Sequence, residues 1–150
     1  MTHDYQVNIN WIADRKGILS SPELPNSIEV ATPPQFPKGM ENIWSPEHFF
    51  TAAVSSCFMT TFLAVADNLK LNFTSFACDA KGKLEQVEGK FLMTEVNLLA
   101  KLSIANEADR ERAERILQKA ETACLITNSV KAKVNLVTEI EVEELTQTGF

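Results

Sequence analysis

The chain predicts an α+β fold: a mainly antiparallel sheet, one long buried central helix and a second, amphipathic helix. Three observations carry this. Apolar and polar residues alternate in several separate stretches, which is the pattern of half-buried strands. The run after Ser45 is apolar or small on nearly every side, as in a helix buried all round. A later run has a charged outer face with apolar residues at helical spacing. Taken in order the elements are βββ, α, ββ, α, β, with strands clustered rather than strictly alternating with helices.

Tyr5, Val7, Ile9 and Trp11 share one face of the first strand, with Gln6, Asn8 and Asn10 on the other. ADRKG (13–17) supplies turn residues and GILSS (17–21) resumes an extended run, so the pair forms a hairpin. SPELPNS (21–27) is a loop, and IEVATP (28–33) is a short strand ended by Pro33 and Pro34. PPQFPKGMENIW (33–44) is the longest irregular stretch, a connector or a functional loop. Ser45 is a suitable N-cap, Pro46 fits the first helical position, and Glu47 sits where the helix dipole favours negative charge. This helix runs to about Asn68. The stretch from Phe73 to Ile104 forms a long hairpin that turns at VEG (87–89), with Leu92, Thr94, Val96, Leu98, Ala100, Leu102 and Ile104 on one face. Asn106 caps the amphipathic helix, whose apolar side is Ala113, Ile116, Leu117 and Ala120. CLITNSVK (124–131) adds a short helical turn. AKVNLVTEIEVEE (132–144) is the last strand.

The 150 residues suit a single domain spanning 1–150, long enough for an apolar core without disulfide staples. The net charge is −6 with no basic stripe, which argues against nucleic acid and anionic membrane surfaces as partners. MTHDYQVNINW has neither the basic nor the apolar region of a signal peptide. Serines and threonines interrupt the apolar helix before it reaches the length of a membrane span. The expectation is a cytoplasmic protein. There are three cysteines, Cys57, Cys78 and Cys124, and two histidines. No C-x-x-C occurs and no metal-ligand spacing is present, so neither a metal nor a cofactor is expected.

Two cysteines have comparable settings: Cys57 lies inside the apolar helix and Cys124 directly follows the amphipathic one. Such a pair can run a redox cycle, a thiolate becoming a sulfenic acid that condenses with the second thiol. In an apolar helix burial raises a thiol's pKa, so a fixed cation is expected beside the attacking sulfur. Taken alone, Cys57 reads as core filler sooner than as a nucleophile. Cys78, on an alternating strand, is read as a packed thiol.

SPEHFFTAAVSSCF (45–58) and AETACLITNSVKAKVNL (120–136) resemble the motifs of the OsmC/Ohr family of thiol-dependent hydroperoxide reductases, in a divergent branch. The resemblance implies the osmotically inducible, organic hydroperoxide resistance fold, an intertwined homodimer. It implies that Cys57 is the peroxidatic cysteine and Cys124 the resolving one, joined as a disulfide during turnover. Glu47 matches the carboxylate that pairs with the catalytic arginine, and Arg15 matches that arginine in an R-x-G turn. Lys38 is the one cation of the loop before the helix, where another branch places its arginine. The sequence departs from the family pattern at Leu125, where proline is usual, and after Asn128. Glu47 and Cys57 are ten positions apart (57 − 47), about 15 Å along a helix axis. One guanidinium touches both only if they come from different subunits of a homodimer.

The activity so implied is peroxidatic reduction of organic hydroperoxides in oxidative-stress defence, with an external dithiol, a lipoyl protein or similar, as reductant. Phe49, Phe50, Val54, Phe58 and Trp44 would line the apolar pocket. The alternative is a noncatalytic dimer of the same fold that binds a small apolar ligand or senses oxidation.

Overall fold

A computed structural model describes residues 1–143 of the chain. It divides into two compact units, Met1–Phe49 and Phe50–Phe150, each described by itself. The first holds β1 (Asn8–Ala13), β2 (Lys16–Ser21) and β3 (Leu24–Ala31) in an antiparallel meander of that order. The β1–β2 turn is only Asp14 and Arg15, with Asp14 at φ 50°. Gly17 therefore belongs to β2 and not to the turn. Its Cβ would stand 2.9 Å from the Asn10 carbonyl oxygen, so the strand pairing itself requires glycine.

SPELPNS is not a loop throughout, because β3 already begins at Leu24 and contains Pro25. β3 is an edge strand, where a missing N–H costs no ladder hydrogen bond, and its register shifts between Leu19 and Ser21. The alternating face of β1 is also not half-buried. Tyr5, Val7, Ile9 and Trp11 are all exposed, Trp11 to 77%.

α1 (Pro46–Asn68) starts and ends where the sequence indicates. Ser45 is fully buried and caps it. The His48 N–H donates to Ser45 Oγ at 3.2 Å, and the Ser45 N–H donates to His48 Nδ1 at 3.2 Å. This is a capping box with histidine in the position usually held by Glu or Gln. Because Nδ1 accepts from Ser45, the proton of the neutral ring sits on Nε2. Ser45→Ala removes the half that Ser45 Oγ makes and leaves the main-chain N–H bond to His48 Nδ1. We expect a loss of about 1–2 kcal/mol, seen as a lower urea midpoint at unchanged m-value.

The second unit holds the sheet β4 (Phe73–Val87), β5 (Lys90–Ile104) and β6 (Lys133–Val142), in that order. β4 and β5 form the expected hairpin, turning at Glu88 (φ 50°) and Gly89 (φ 79°), the two positive φ angles that a type I′ turn needs. β6 pairs with β5 in parallel, register Val96↔Val134 through Ile104↔Val142. The reason is the connection: α2 (Arg110–Ala123) lies between them and returns the chain to the same end of the sheet. β6 stops at Val142; Glu144, the end of the expected strand, lies outside the described residues. Asn106 caps no helix with its side chain. A 3-10 turn, Glu107–Asp109, precedes α2, and Asn106 contributes its carbonyl to the Asp109 N–H at 3.1 Å.

One face of the sheet (Val96, Leu98, Ala100, Leu102 and Ile104 of β5) is buried under both helices. α2 contributes Ala113, Ile116, Leu117 and Ala120. α1 contributes Val54, Phe58, Phe62 and Ala66, one row at i, i+4 spacing, with Phe62 stacked on Phe76 at 4.8 Å and edge-on to Phe73 at 5.2 Å. Within one chain, then, the helix is buried along one row. By length and composition α1 is apolar enough to cross a membrane, but one row packs in this core while Met59 and Leu63 opposite are exposed.

Candidate active site

Cys57 lies near the middle of α1, beside the row that enters the core but not in it, and is half-buried. Cys124 is the C-cap of α2 and wholly buried. The core brings these two sulfurs together, because α1 and α2 pack on the same sheet face and Cys124 ends the second helix. Both are free thiols, and each bears on the ionisation of the other.

The segment after Cys124 is tied down at several points. Asn128 N–H donates to the Cys124 carbonyl at 3.0 Å and Ser129 N–H to that of Ile126 at 2.9 Å. Ser129 Oγ donates to the Leu125 carbonyl at 2.7 Å, and Asn128 Nδ2 to that of Thr122 at 3.2 Å, satisfying an end carbonyl of α2. A 3-10 turn, Thr127–Ser129, closes the segment.

This arrangement makes the two thiols unequal. Burial pushes the Cys57 thiol up, but the N–H of Ile126, the Cys124 thiol, the Thr61 hydroxyl and the N–H of Leu125 outweigh it and hold Cys57 below the usual thiol range. Thr61 Oγ1 stands 3.9 Å from Cys57 Sγ, one turn further along α1. Burial pushes Cys124 up, the N–H of Thr127 offsets part of this, and Cys57 beside it adds to the rise. The groups that lower Cys57 are main-chain and hydroxyl donors, which no motif of charged residues in the sequence could reveal. The available signal was the turn-forming TNS after Cys124.

Cys78 is the packed thiol the strand pattern indicates. Burial, with Asp79 beside it, pushes it up to about 11. Val54 and Phe58 are wholly buried in the core and Phe50 packs against it. Trp44 does line an open cleft of about 530 Å³ in the first unit, with Pro34, Met40, Ile43 and His48 among its walls.

Arg15 lies in the exposed β1–β2 turn, and its guanidinium pairs with no described carboxylate of the first unit. Lys38 is exposed, with φ 63° in the loop before α1. Glu47 is half-buried in the first turn of that helix. Among the described residues no group of three or more His, Cys, Asp or Glu side chains could hold a metal ion.

The OsmC-like protein family model matches residues 39–139, a span that contains α1, both cysteines and most of the second unit. The chain is 21% identical over 146 residues to the uncharacterized protein YmaD of Bacillus subtilis, covering 94% of this chain and 95% of the relative. Among solved structures, an OsmC-like protein of unknown function from Vibrio cholerae superposes with a TM-score of 0.80 at 24% identity, over 93% of this chain and 99% of that one. An organic hydroperoxide resistance protein from Elizabethkingia anophelis gives 0.74 at 23% identity, over 95% and 100%. The organic hydroperoxide resistance protein OhrB of B. subtilis gives 0.67 at 19% identity, over 94% and 98%.

Proposed function

The chain belongs to the OsmC-like protein family, and on that premise we propose that it is a thiol peroxidase acting on organic hydroperoxides. The observation that carries the reading is the meeting of Cys57 and Cys124, one thiol held down and the other up. The names of two similar structures, both organic hydroperoxide resistance proteins, support the peroxide-related role.

In the proposed cycle Cys57 thiolate attacks the distal oxygen of R–O–OH. The O–O bond breaks, the alkoxide takes a proton and leaves as the alcohol, and Cys57 becomes a sulfenic acid. Cys124 then attacks that sulfur. The S–OH bond breaks, water leaves, and a Cys57–Cys124 disulfide forms. An external dithiol returns two electrons by thiol–disulfide exchange. Arg15 and Glu47 keep the roles that the family resemblance assigns them: the guanidinium places the peroxide and the carboxylate fixes its fork. With Glu47 and Cys57 about 15 Å apart along α1, the proposal takes them from different subunits of a homodimer. Two exposed apolar faces support a second copy: Met59 and Leu63 on α1 and, in the first unit, Tyr5, Val7, Ile9 and Trp11.

The test is consumption of cumene hydroperoxide by the reduced protein, with dihydrolipoamide or dithiothreitol as electron source and peptide mapping of the oxidised product. We expect catalytic consumption and a Cys57–Cys124 cross-linked peptide pair. No consumption above a protein-free control overturns the peroxidase reading and leaves ligand binding or oxidation sensing by the same fold.

A further inference from the structure

Three hydroxyls of α1 bond back to carbonyls of their own helix. Ser55 Oγ donates to the Ala52 carbonyl at 3.2 Å, Ser56 Oγ to that of Ala53 at 3.3 Å, and Thr60 Oγ1 to that of Cys57 at 3.1 Å. Thr61 departs from this pattern. Its Oγ1 stands 3.9 Å from Cys57 Sγ and makes no other hydrogen bond among the described residues. We infer that Thr61 is a further catalytic residue, whose hydroxyl donates to the Cys57 thiolate and holds the attacking sulfur in place. The inference rests on the reading of Cys57 as the attacking thiol and adds a residue to that site.

The helix itself explains why this hydroxyl turns to sulfur. A helical threonine ordinarily chooses between the carbonyls three and four residues back. For Thr61 the carbonyl four back belongs to Cys57, and Thr60 already occupies it. The helix's own i→i−4 bond uses that oxygen's other lone pair. Sulfur of the same residue is then the acceptor in reach, since residues four apart lie one above the other on a helix face. In the thiol form either atom of the contact can donate. Once Cys57 ionises only the hydroxyl can, and a thiolate accepts more strongly than a thiol, so the contact favours the ionised form. Contacts of this kind are often long in a resting site and tighten as charge develops. Burial pushes the Cys57 thiol up, and the Thr61 hydroxyl is among the groups that bring it below the usual range.

Other titratable groups are left alone by a change at Thr61. Between His48 and Asp67, α1 carries no titratable side chain but Cys57. Cys124 bears on Cys57 from the end of α2, and the proposed homodimer adds Arg15 and Glu47. Thr61→Val keeps the branched shape and removes the hydroxyl, whereas Thr61→Ser keeps the hydroxyl. Ser56→Ala is the control, because it removes a hydroxyl next to Cys57 that bonds to Ala53.

The readout is the rate of Cys57 alkylation by iodoacetamide across pH, resolved by peptide mass spectrometry on the reduced full chain. Thr61→Val is expected to slow alkylation near neutral pH about two- to fivefold and to move the rate profile to higher pH, while Thr61→Ser and Ser56→Ala stay within about 1.5-fold of wild type. Valine and serine variants with the same profile, both with native circular dichroism, overturn the inference. So does a Ser56→Ala shift as large as that of Thr61→Val. If the valine variant does not fold, Thr61→Ala replaces it, and equal alanine and serine profiles overturn the inference. Alkylation needs no peroxide. A protein that shows the valine shift but consumes no hydroperoxide defeats the peroxidase reading alone, and one that consumes peroxide with an unshifted valine profile defeats this inference alone.

Discussion

Cys57→Ser is expected to abolish hydroperoxide consumption, at least about a thousandfold below wild type, because a serine hydroxyl is not ionised near neutral pH as a thiolate is. Cys124→Ser should behave differently. It retains the attacking thiolate, consumes one equivalent of peroxide per chain, and stalls as a Cys57 sulfenic acid, visible as a mass gain of one oxygen atom. The asymmetry follows from the opposite displacements of the two thiols, Cys57 held low and Cys124 pushed up. It also sets the pH dependence. The first step speeds up as Cys57 ionises, so its rate should rise at a lower pH than for a free cysteine and level off once Cys57 is ionised. Cys124 remains a protonated, poorer nucleophile over that range and does not compete for peroxide. Stopped-flow consumption of cumene hydroperoxide with each variant measures both limits. Equal residual activity in the two serine variants would sink the division of labour.

The second large effect separates the two sides of α1. Phe62 is wholly buried against Phe73 and Phe76, so Phe62→Ala should cost about 3–5 kcal/mol and lower the unfolding midpoint at any protein concentration. Leu63, the next residue, is 40% exposed in the chain. In an isolated chain Leu63→Glu would change stability within about 0.5 kcal/mol, as exposed substitutions usually do. In the proposed homodimer it places a charge in an apolar interface, and the expected result is a monomer in sedimentation at concentrations where wild type is dimeric. Its unfolding midpoint should lose the dependence on protein concentration that a dimer shows. A wild-type chain that sediments as a monomer at every concentration removes the dimer from the proposal, and with it the sharing of Glu47 and Cys57 between subunits.

Periodicity was most informative where one element meets one core. The row Val54, Phe58, Phe62, Ala66 of α1, the set Ala113, Ile116, Leu117, Ala120 of α2 and the alternate residues of β5 are buried as their spacing demands. Composition misled where an apolar face is not covered by the same chain. Trp11 and Leu63 have the pattern of buried residues and are exposed, because a sequence records that a surface is apolar and not which molecule covers it. The cysteine pair was visible as two thiols in matching helical settings. The donors around Cys57 were not, since every residue but proline has an N–H and its direction depends on the turn it occupies.

What the sequence determined alone was the order of its elements, the length of α1 from the Ser45 cap to Asn68, and the type of chemistry its thiols can perform. These depend on local properties: side-chain spacing, capping groups and the reactivity of sulfur. Tertiary structure alone decided that β6 runs parallel to β5 and that Cys57 meets Cys124. These depend on where distant segments pack, and close packing of two helices on one sheet face is what brings residues 57 and 124 together across 67 positions of chain (124 − 57).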